Sequence, residues 1–107
     1  MVRVRLFSAI EGGRRVPVLS GYRTLADFGE KDADGTPVLH GFELRLLDRE
    51  SLEPGDTARA QLFPFAPQLW PARQVGDRIR IREGRTHVGD AYVDSVQLEL
   101  AALAQLP

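Results

Sequence analysis

The sequence predicts an all-β domain, built as a barrel or a sandwich, and three observations lead to this prediction. Short stretches in which apolar and polar residues alternate recur along the 107 residues. Turn signals separate them at intervals of roughly ten residues, as in small barrels and sandwiches. No long helical period interrupts the series, which argues against a parallel α/β sheet. We therefore expect roughly six or seven short strands.

The first part of the chain contains two such stretches. Residues 2–6 alternate between apolar side chains and arginine, which is the pattern of a half-buried strand. A second short run at residues 16–19 follows the turn signal Glu-Gly-Gly at residues 11–13. After it the alternation weakens. The polar and acidic residues 27–35 predict an exposed loop or the tip of a loose hairpin.

The middle of the chain holds two further strands and a loop. Residues 42–46 and 58–62 alternate strictly, and the turn Glu-Pro-Gly-Asp at residues 53–56 lies between them. Residues 64–71 contain three prolines, and each proline lacks the donor that a central strand requires. This segment is therefore predicted to be an apolar loop.

The last two predicted strands lie on either side of a Glu-Gly turn at residues 83–84. In the first, Ile79 and Ile81 alternate with arginines. The second covers residues 88–96. The tail that follows, residues 97–107, is rich in leucine and alanine and is predicted either to extend that strand or to form a short helix.

The inward-facing positions follow from the alternation of apolar residues with charged neighbours. We predict a closed or nearly closed antiparallel barrel with these residues inside: Val2, Val4, Leu6, Leu44, Leu46, Leu62, Ile79, Ile81, Val88 and Val93.

The composition is that of one globular domain, which we assign to residues 1–107 with 97–107 as an extra tail. There is no cysteine, so neither a disulfide framework nor a thiolate metal site is expected. No apolar run approaches the ~20 residues of a membrane span. The alternating start is unlike a signal peptide. We therefore expect a cytoplasmic protein without a membrane partner.

No constellation of residues predicts catalysis. The chain has no Gly-x-x-x-x-Gly-Lys-Ser/Thr loop, so neither a nucleotide partner nor GTPase activity is expected. A metal site would have to bring His40, His87 and Asp90 together across strands. None of the four serines lies in a nucleophile-elbow motif, so a serine nucleophile is not indicated. The prediction is a protein that is not an enzyme, with no cofactor and no metal.

Three stretches, in order along the chain, carry a resemblance to a known family. They are Glu-Gly-Gly-Arg-Arg at 11–15 followed by Gly-Tyr-Arg at 21–23, Glu-Pro-Gly-Asp at 53–56, and Arg-Ile-Arg-Glu-Gly-Arg-Thr-His-Val-Gly at 80–89. In this order and at nearly these separations, they resemble the third, C-terminal domain of bacterial elongation factor Tu. The similarity spans residues 2–96.

The resemblance implies a six-stranded antiparallel closed barrel, here without the GTPase domain. In the family this domain holds the T stem of aminoacyl-tRNA through the Gly-Gly-Arg and Arg-Glu-Gly turns. The RNA-binding residues implied by match are Arg14, Arg15, Arg82, Glu83 and Gly84.

The chain departs from the family where other tRNA contacts lie. Residues 24–28 replace a stretch that supplies glutamine and threonine contacts, and Ala66 stands near a basic residue of the family. The acidic residues 30–34 lie in the same altered region. Neutralisation of phosphate dominates affinity for RNA. These changes therefore favour a partner other than tRNA, as does the net charge of −1.

Two surfaces are candidates for protein contacts. Arg78, Arg80 and Arg82 share one face of a strand, and the alternative for them is a solvated barrel exterior. The second candidate is an apolar loop that holds Phe63, Phe65, Leu69 and Trp70, and its alternative is a lid over one barrel end.

Two functions remain as hypotheses. The first is a non-catalytic protein-interaction module with an unidentified protein partner or, as an alternative, a second copy of the chain. The second is a translation-related module that binds tRNA or another structured RNA through Arg14, Arg15 and residues 82–84. The first is favoured by the missing tRNA contacts.

Overall fold

The computed structural model describes residues 1–94, and in this range the chain folds almost entirely into antiparallel strands. One turn of 3-10 helix covers Pro67–Leu69. No helix within residues 1–94 is long and apolar enough to cross a membrane. The eight strands are β1 (Val2–Leu6), β2 (Val18–Leu19), β3 (Tyr22–Lys31), β4 (Pro37–Leu46), β5 (Ser51–Leu52), β6 (Thr57–Pro64), β7 (Arg78–Glu83) and β8 (Thr86–Val93).

Six of these strands form a closed barrel in the order β1-β6-β4-β3-β7-β8, and β8 pairs back onto β1. Every neighbouring pair is antiparallel. The short strands β2 and β5 form a separate two-stranded sheet. The predicted all-β fold, a six-stranded antiparallel closed barrel, is confirmed.

The barrel interior is filled by the side chains that the alternation placed there. All ten predicted interior residues are buried. They are joined by Phe42, which is fully buried, and by small residues such as Ala26, Ala60 and Ala91. A small barrel is filled by such a mixture of large and small side chains, because its interior is only wide enough for side chains.

Gly89 lies at the seam where β1 and β8 close the barrel, opposite Leu6. A Cβ atom at this position would lie 2.5 Å from the carbonyl oxygen of Arg5 and 3.2 Å from the Cα of Leu6. Both are backbone atoms, which cannot move away as the end of a flexible side chain could. Glycine is therefore what allows the two strands to approach closely at this point.

Of the two interpretations of residues 27–35, an exposed loop or the tip of a loose hairpin, the hairpin is correct, and its strands extend further than a tip. The chain continues as β3 up to Lys31 and starts β4 at Pro37, so the turn itself covers only residues 32–36. The outer half of this hairpin is exposed at successive positions from Gly29 to Pro37. Because neither face is buried there, no alternation of apolar and polar residues marks the strands.

Other differences are small. β2 is shorter than the predicted run at residues 16–19, and β5 was not predicted because two residues are too few to show a period. The tail at 97–107 and the end of the predicted strand at 88–96 lie outside the described residues.

The proline-containing loop after β6, at residues 65–71, covers part of the barrel interior. This agrees with the second of its two interpretations, a lid over one barrel end. Trp70 is only 8% exposed and belongs to the core. Its ring makes edge-to-face contacts with Phe28 and Phe42, with centroids 4.9 and 5.9 Å away. The loop therefore closes part of the barrel with its own tryptophan.

Replacing Gly89 by alanine tests whether the close approach of β1 and β8 limits the stability of the barrel. We expect Gly89→Ala to lower the free energy of unfolding by about 1 to 3 kcal/mol, the usual cost of overpacking a core. Urea denaturation followed by circular dichroism measures the change. Thr86→Ala, at an exposed position of the same strand, is the control and should stay within about 0.5 kcal/mol of the wild type. Equal stability of Gly89→Ala and the wild type would contradict the argument.

Candidate interaction surface

Two turns that are remote in sequence meet on the barrel surface. The guanidinium of Arg14, in the connection between β1 and β2, forms an ion pair with Glu83 at the end of β7. Arg14 also donates a hydrogen bond to the carbonyl of Val16 at 3.2 Å, and its guanidinium lies 5.1 Å from the centre of the Tyr22 ring. The Arg14 side chain is thereby fixed by contacts within the protein.

Tyr22 forms part of the support beneath this ion pair. Burial, with a smaller contribution from the carboxylate of Glu83, raises the pKa of the Tyr22 phenol to about 12, while Thr24 and the Arg14 charge act in the opposite direction. The phenol therefore remains neutral at physiological pH and packs under the Arg14 guanidinium as an aromatic surface.

Arg82 is held as firmly as Arg14. Its Nε donates to Oδ2 of Asp27 at 2.5 Å, and another guanidinium nitrogen donates to the carbonyl of Arg85 at 3.1 Å. The backbone carbonyl of Arg82 in turn accepts a hydrogen bond from the Thr24 hydroxyl at 2.5 Å. The partners come from β3 and from the turn after β7, so the conformation of Arg82 depends on both elements.

Asp27 is a buried carboxylate that the sequence did not reveal. It is 5% exposed, and its second oxygen accepts the N–H of Gly29 at 2.7 Å. Burial by itself raises the pKa of Asp27, but the Gly29 N–H and the Arg82 guanidinium outweigh that effect, so the pKa lies below its ordinary value. The carboxylate is therefore ionised at neutral pH and its charge is compensated locally.

The five residues implied for RNA binding are neighbours in space, but most of their charge is engaged. Arg14 pairs with Glu83 and Arg82 with Asp27. Arg15 is exposed and forms no ion pair within residues 1–94. Gly84 is exposed with φ +58°, as the tight turn between β7 and β8 requires. Only one of the three arginines is thus free of an acidic partner.

The tip of the β3–β4 hairpin lies beside this turn. A shallow cleft is lined by Asp34, Thr36 and Leu39 on the hairpin side and by Arg82 and Arg85 on the other side. A phosphate group that approached Arg85 would also approach the carboxylate of Asp34. The acidic residues of the hairpin therefore oppose the binding of a polyanion at this point.

A different surface lies on the outer side of β3, β4 and β6. Arg23, Glu43 and Phe63 stand side by side on these three strands. Glu43 accepts hydrogen bonds from Arg45 at 2.7 Å and from Arg23 at 3.2 Å. These bonds, with that from Arg45 the stronger, lower the pKa of Glu43. One carboxylate thus orients two arginines.

Each of these two arginines also lies over an aromatic ring. The guanidinium of Arg45 is 4.5 Å from the centre of the Phe63 ring, and that of Arg23 is 5.7 Å from the centre of the Phe65 ring. We call these five residues, Arg23, Glu43, Arg45, Phe63 and Phe65, the aromatic–arginine face.

The aromatic–arginine face is open to solvent but held in shape. The side chains of Arg23 and Arg45 are 72% and 59% exposed, and Phe65 is 58% exposed. Phe65 packs on Gly41, where a Cβ atom would lie 2.7 Å from its ring. Because Gly41 has no side chain, one edge of the Phe65 ring packs directly on the backbone of β4.

The remaining predicted contact residues are placed differently from one another. Leu69 is exposed, whereas Trp70 is buried and does not present contact area. Arg78 and Arg80 point outward on β7, as expected. Arg78 pairs with Asp90 at 3.0 Å, and Asp90 also lies 2.8 Å from Nε2 of His87.

The two histidines do not share a site. His40 contacts Glu30 at 2.9 Å and the ring of Phe28, while His87 contacts Asp90 and the ring of Phe7. Within the described part of the chain, no group of three or more His, Cys, Asp or Glu residues could hold a metal ion.

Sequence reasoning missed three members of the aromatic–arginine face. Glu43 and Arg45 occupy the outward positions of a strand that was predicted, so the alternation placed them outside but gave no reason to join them with Phe63 and Phe65. Arg23 lies in the segment whose alternation is weak. A pairing register for β3, β4 and β6 would have been needed to bring them together.

No protein-family model matches this chain.

Replacing Asp27 by asparagine tests the buried ion pair with Arg82. The folded-state pKa of Asp27 lies below its ordinary value of 3.8, so the contribution of the carboxylate to stability is complete above that pH. It disappears as the pH falls through the folded-state pKa. We expect Asp27→Asn to lower the free energy of unfolding at pH 7 by about 1.5 to 3 kcal/mol.

The difference between Asp27→Asn and the wild type should then shrink as the pH is lowered from 7 towards 2, which urea denaturation at a series of pH values measures. Asp48→Asn, at an exposed position, is the control and should follow the wild type throughout. A difference that stays constant or grows at low pH would show that the pair with Arg82 does not hold the Asp27 charge.

Proposed function

We propose that this chain is a non-catalytic protein-interaction module whose barrel serves as a rigid scaffold. The observation that carries the proposal is the aromatic–arginine face, in which two exposed arginines lie over two phenylalanine rings. Arginine and aromatic residues dominate the residues that contribute most to protein–protein binding.

The side chains of the aromatic–arginine face are held by contacts within the protein, which supports this function. Glu43 accepts hydrogen bonds from both guanidinium groups, and the Phe65 ring packs on Gly41. Binding would therefore immobilise few additional side-chain torsions. Side chains that are ordered before binding lose less entropy when a partner arrives. The exposed face carries two arginines against one glutamate, which favours a partner surface with acidic residues.

The finer form of the proposal follows from the resemblance to the third domain of elongation factor Tu. In that family neighbouring domains cover the surfaces of the barrel, so the outside of such a barrel is a surface that other folded units contact. Here the exposed Phe65 and Leu69 are the apolar residues near the lid that a partner would cover.

The second candidate function is binding of tRNA or another structured RNA. It is supported by the contact between Arg14 and Glu83, which joins the two turns that the resemblance implies for the T stem. It ranks second because Arg14 and Arg82 already have carboxylate partners and Asp34 lies beside Arg85. A phosphate would have to compete with those partners for the same guanidinium groups.

Replacing Phe65 by alanine tests the aromatic–arginine face. Proteins should be co-purified from the native host with the wild-type chain and with Phe65→Ala, and the partner that differs should be titrated as a purified protein. We expect Phe65→Ala or Arg23→Ala to weaken its binding at least about tenfold. Because both side chains are exposed, neither substitution should change the thermal melting curve appreciably.

The matched control is Leu19→Ala, which removes an exposed leucine from β2, outside this face. The control should bind its partner like the wild type. A partner whose affinity is insensitive to Phe65→Ala and Arg23→Ala, but falls with Leu19→Ala, would place the interaction on another surface.

Binding of RNA is tested by fluorescence anisotropy with aminoacylated and bare tRNA at two salt concentrations. We expect weak binding at physiological salt that Arg82→Ala leaves unchanged. Sub-micromolar affinity that is weakened in Arg82→Ala would reverse the ranking of the two functions. The slope of the salt dependence should then also fall by about one unit, because one phosphate contact is lost.

A further inference from the structure

A cleft opens on the exterior of the barrel where β3 separates from β7. The two strands pair only over residues 25–27 of β3. The register then breaks, with Gly29 at φ +84°, and β3 continues into its hairpin with β4. Arg78 and Ile79 of β7 are left without a partner on that side. The loop of residues 71–77 borders the resulting space, which measures about 300 Å³.

Three arginines, Arg73, Arg78 and Arg80, are among the residues that line this cleft. Arg73 lies over the ring of Trp70, 5.2 Å from its centre, so the lid loop helps to position it. Arg78 is anchored through Nε by Asp90 at 3.0 Å. Arg80 is partly buried and forms no hydrogen bond or ion pair with a side chain of residues 1–94.

The two carboxylates of the cleft are already engaged. Asp27 accepts hydrogen bonds from the N–H of Gly29 and from Arg82, which lies outside the cleft. Asp77 accepts the N–H of Gln74 at 2.8 Å. With three arginines against two aspartates, the lining has a net charge of +1. Within residues 1–94, the guanidinium groups of Arg73 and Arg80 thus form no hydrogen bond or ion pair with a side chain, and their donors are left over.

We propose that this cleft binds an oxyanion of the phosphate type, either free phosphate or the phosphate group of a small organic molecule. Several arginines in one lining can offer donors to the several oxygens of such an anion, and the planar donors of arginine suit these oxygens better than a lysine would. The apolar part of the lining consists of Phe28, Pro71, Ala72 and Ile79. It displaces water and strengthens the attraction.

The proposed anion site is separate from the aromatic–arginine face and from the pair formed by Arg14 and Glu83. The cleft is lined by residues 27–28, 71–73 and 77–80, whereas the face consists of Arg23, Glu43, Arg45, Phe63 and Phe65. The two proposals therefore stand or fall independently, because the residues that carry them do not overlap.

The test is a titration of the full chain with inorganic phosphate and with phenyl phosphate at constant ionic strength, followed by amide shifts in proton–nitrogen NMR spectra. We expect saturable shifts centred on the amides of Gly29, Asp77 and Arg80. Arg80→Gln should lower the affinity about tenfold or more, as loss of a charge-assisted hydrogen bond does. Arg73→Gln should lower it as well, through the opposite wall of the cleft.

Arg49→Gln is the matched control, because Arg49 is exposed in the connection between β4 and β5, away from the cleft. Tighter binding of phenyl phosphate than of phosphate would identify a phosphorylated organic molecule as the ligand, and equal binding would identify free phosphate. Shifts that do not saturate, that spread over all exposed arginines, or that persist unchanged in both Arg80→Gln and Arg73→Gln would overturn the proposal.

Discussion

Closure of the sheet between β1 and β8 is the constraint on which the rest of this structure depends. Each barrel strand has a neighbour on both sides, so the inner side chains are removed from water all around the barrel. The seam requires the close backbone approach that Gly89 permits opposite Leu6. Once the interior is occupied by apolar side chains, only the outer face and the loops are left for binding.

Four of the outer arginines form two pairs that differ in their neighbours. Arg14 and Arg82 are bound to carboxylates that come from other elements, so they stabilise the packing of turns and strands. Arg23 and Arg45 share one carboxylate and lie over phenylalanine rings, and their own side chains are exposed, so they present oriented charge to solvent. The same residue type therefore has a structural function at one place and forms a binding surface at another.

Asp27 connects the barrel with the two clefts beside it. Its carboxylate holds Arg82 on one side and caps the N–H of Gly29 on the other, at the point where β3 stops pairing with β7. The hairpin that continues from there brings Asp34 next to Arg85, and the gap behind it exposes Arg80. A single buried charge is tolerated here because it is compensated by a guanidinium and a backbone donor.

The sequence by itself determined the fold class, the interior residues and the outward direction of the arginines on β7, because a period of two is a local property that burial on one face imposes on each strand. It left open whether the outer half of the β3–β4 hairpin is a loop or a hairpin, because no face is buried there and no period arises. Only the tertiary structure decided that Trp70 is buried, that Asp27 binds Arg82 and that Arg14 reaches Glu83. Asp27 and Arg82 are 55 positions apart in the sequence, and Arg14 and Glu83 are 69 positions apart. Such contacts arise from strand register and barrel closure, which no local pattern encodes.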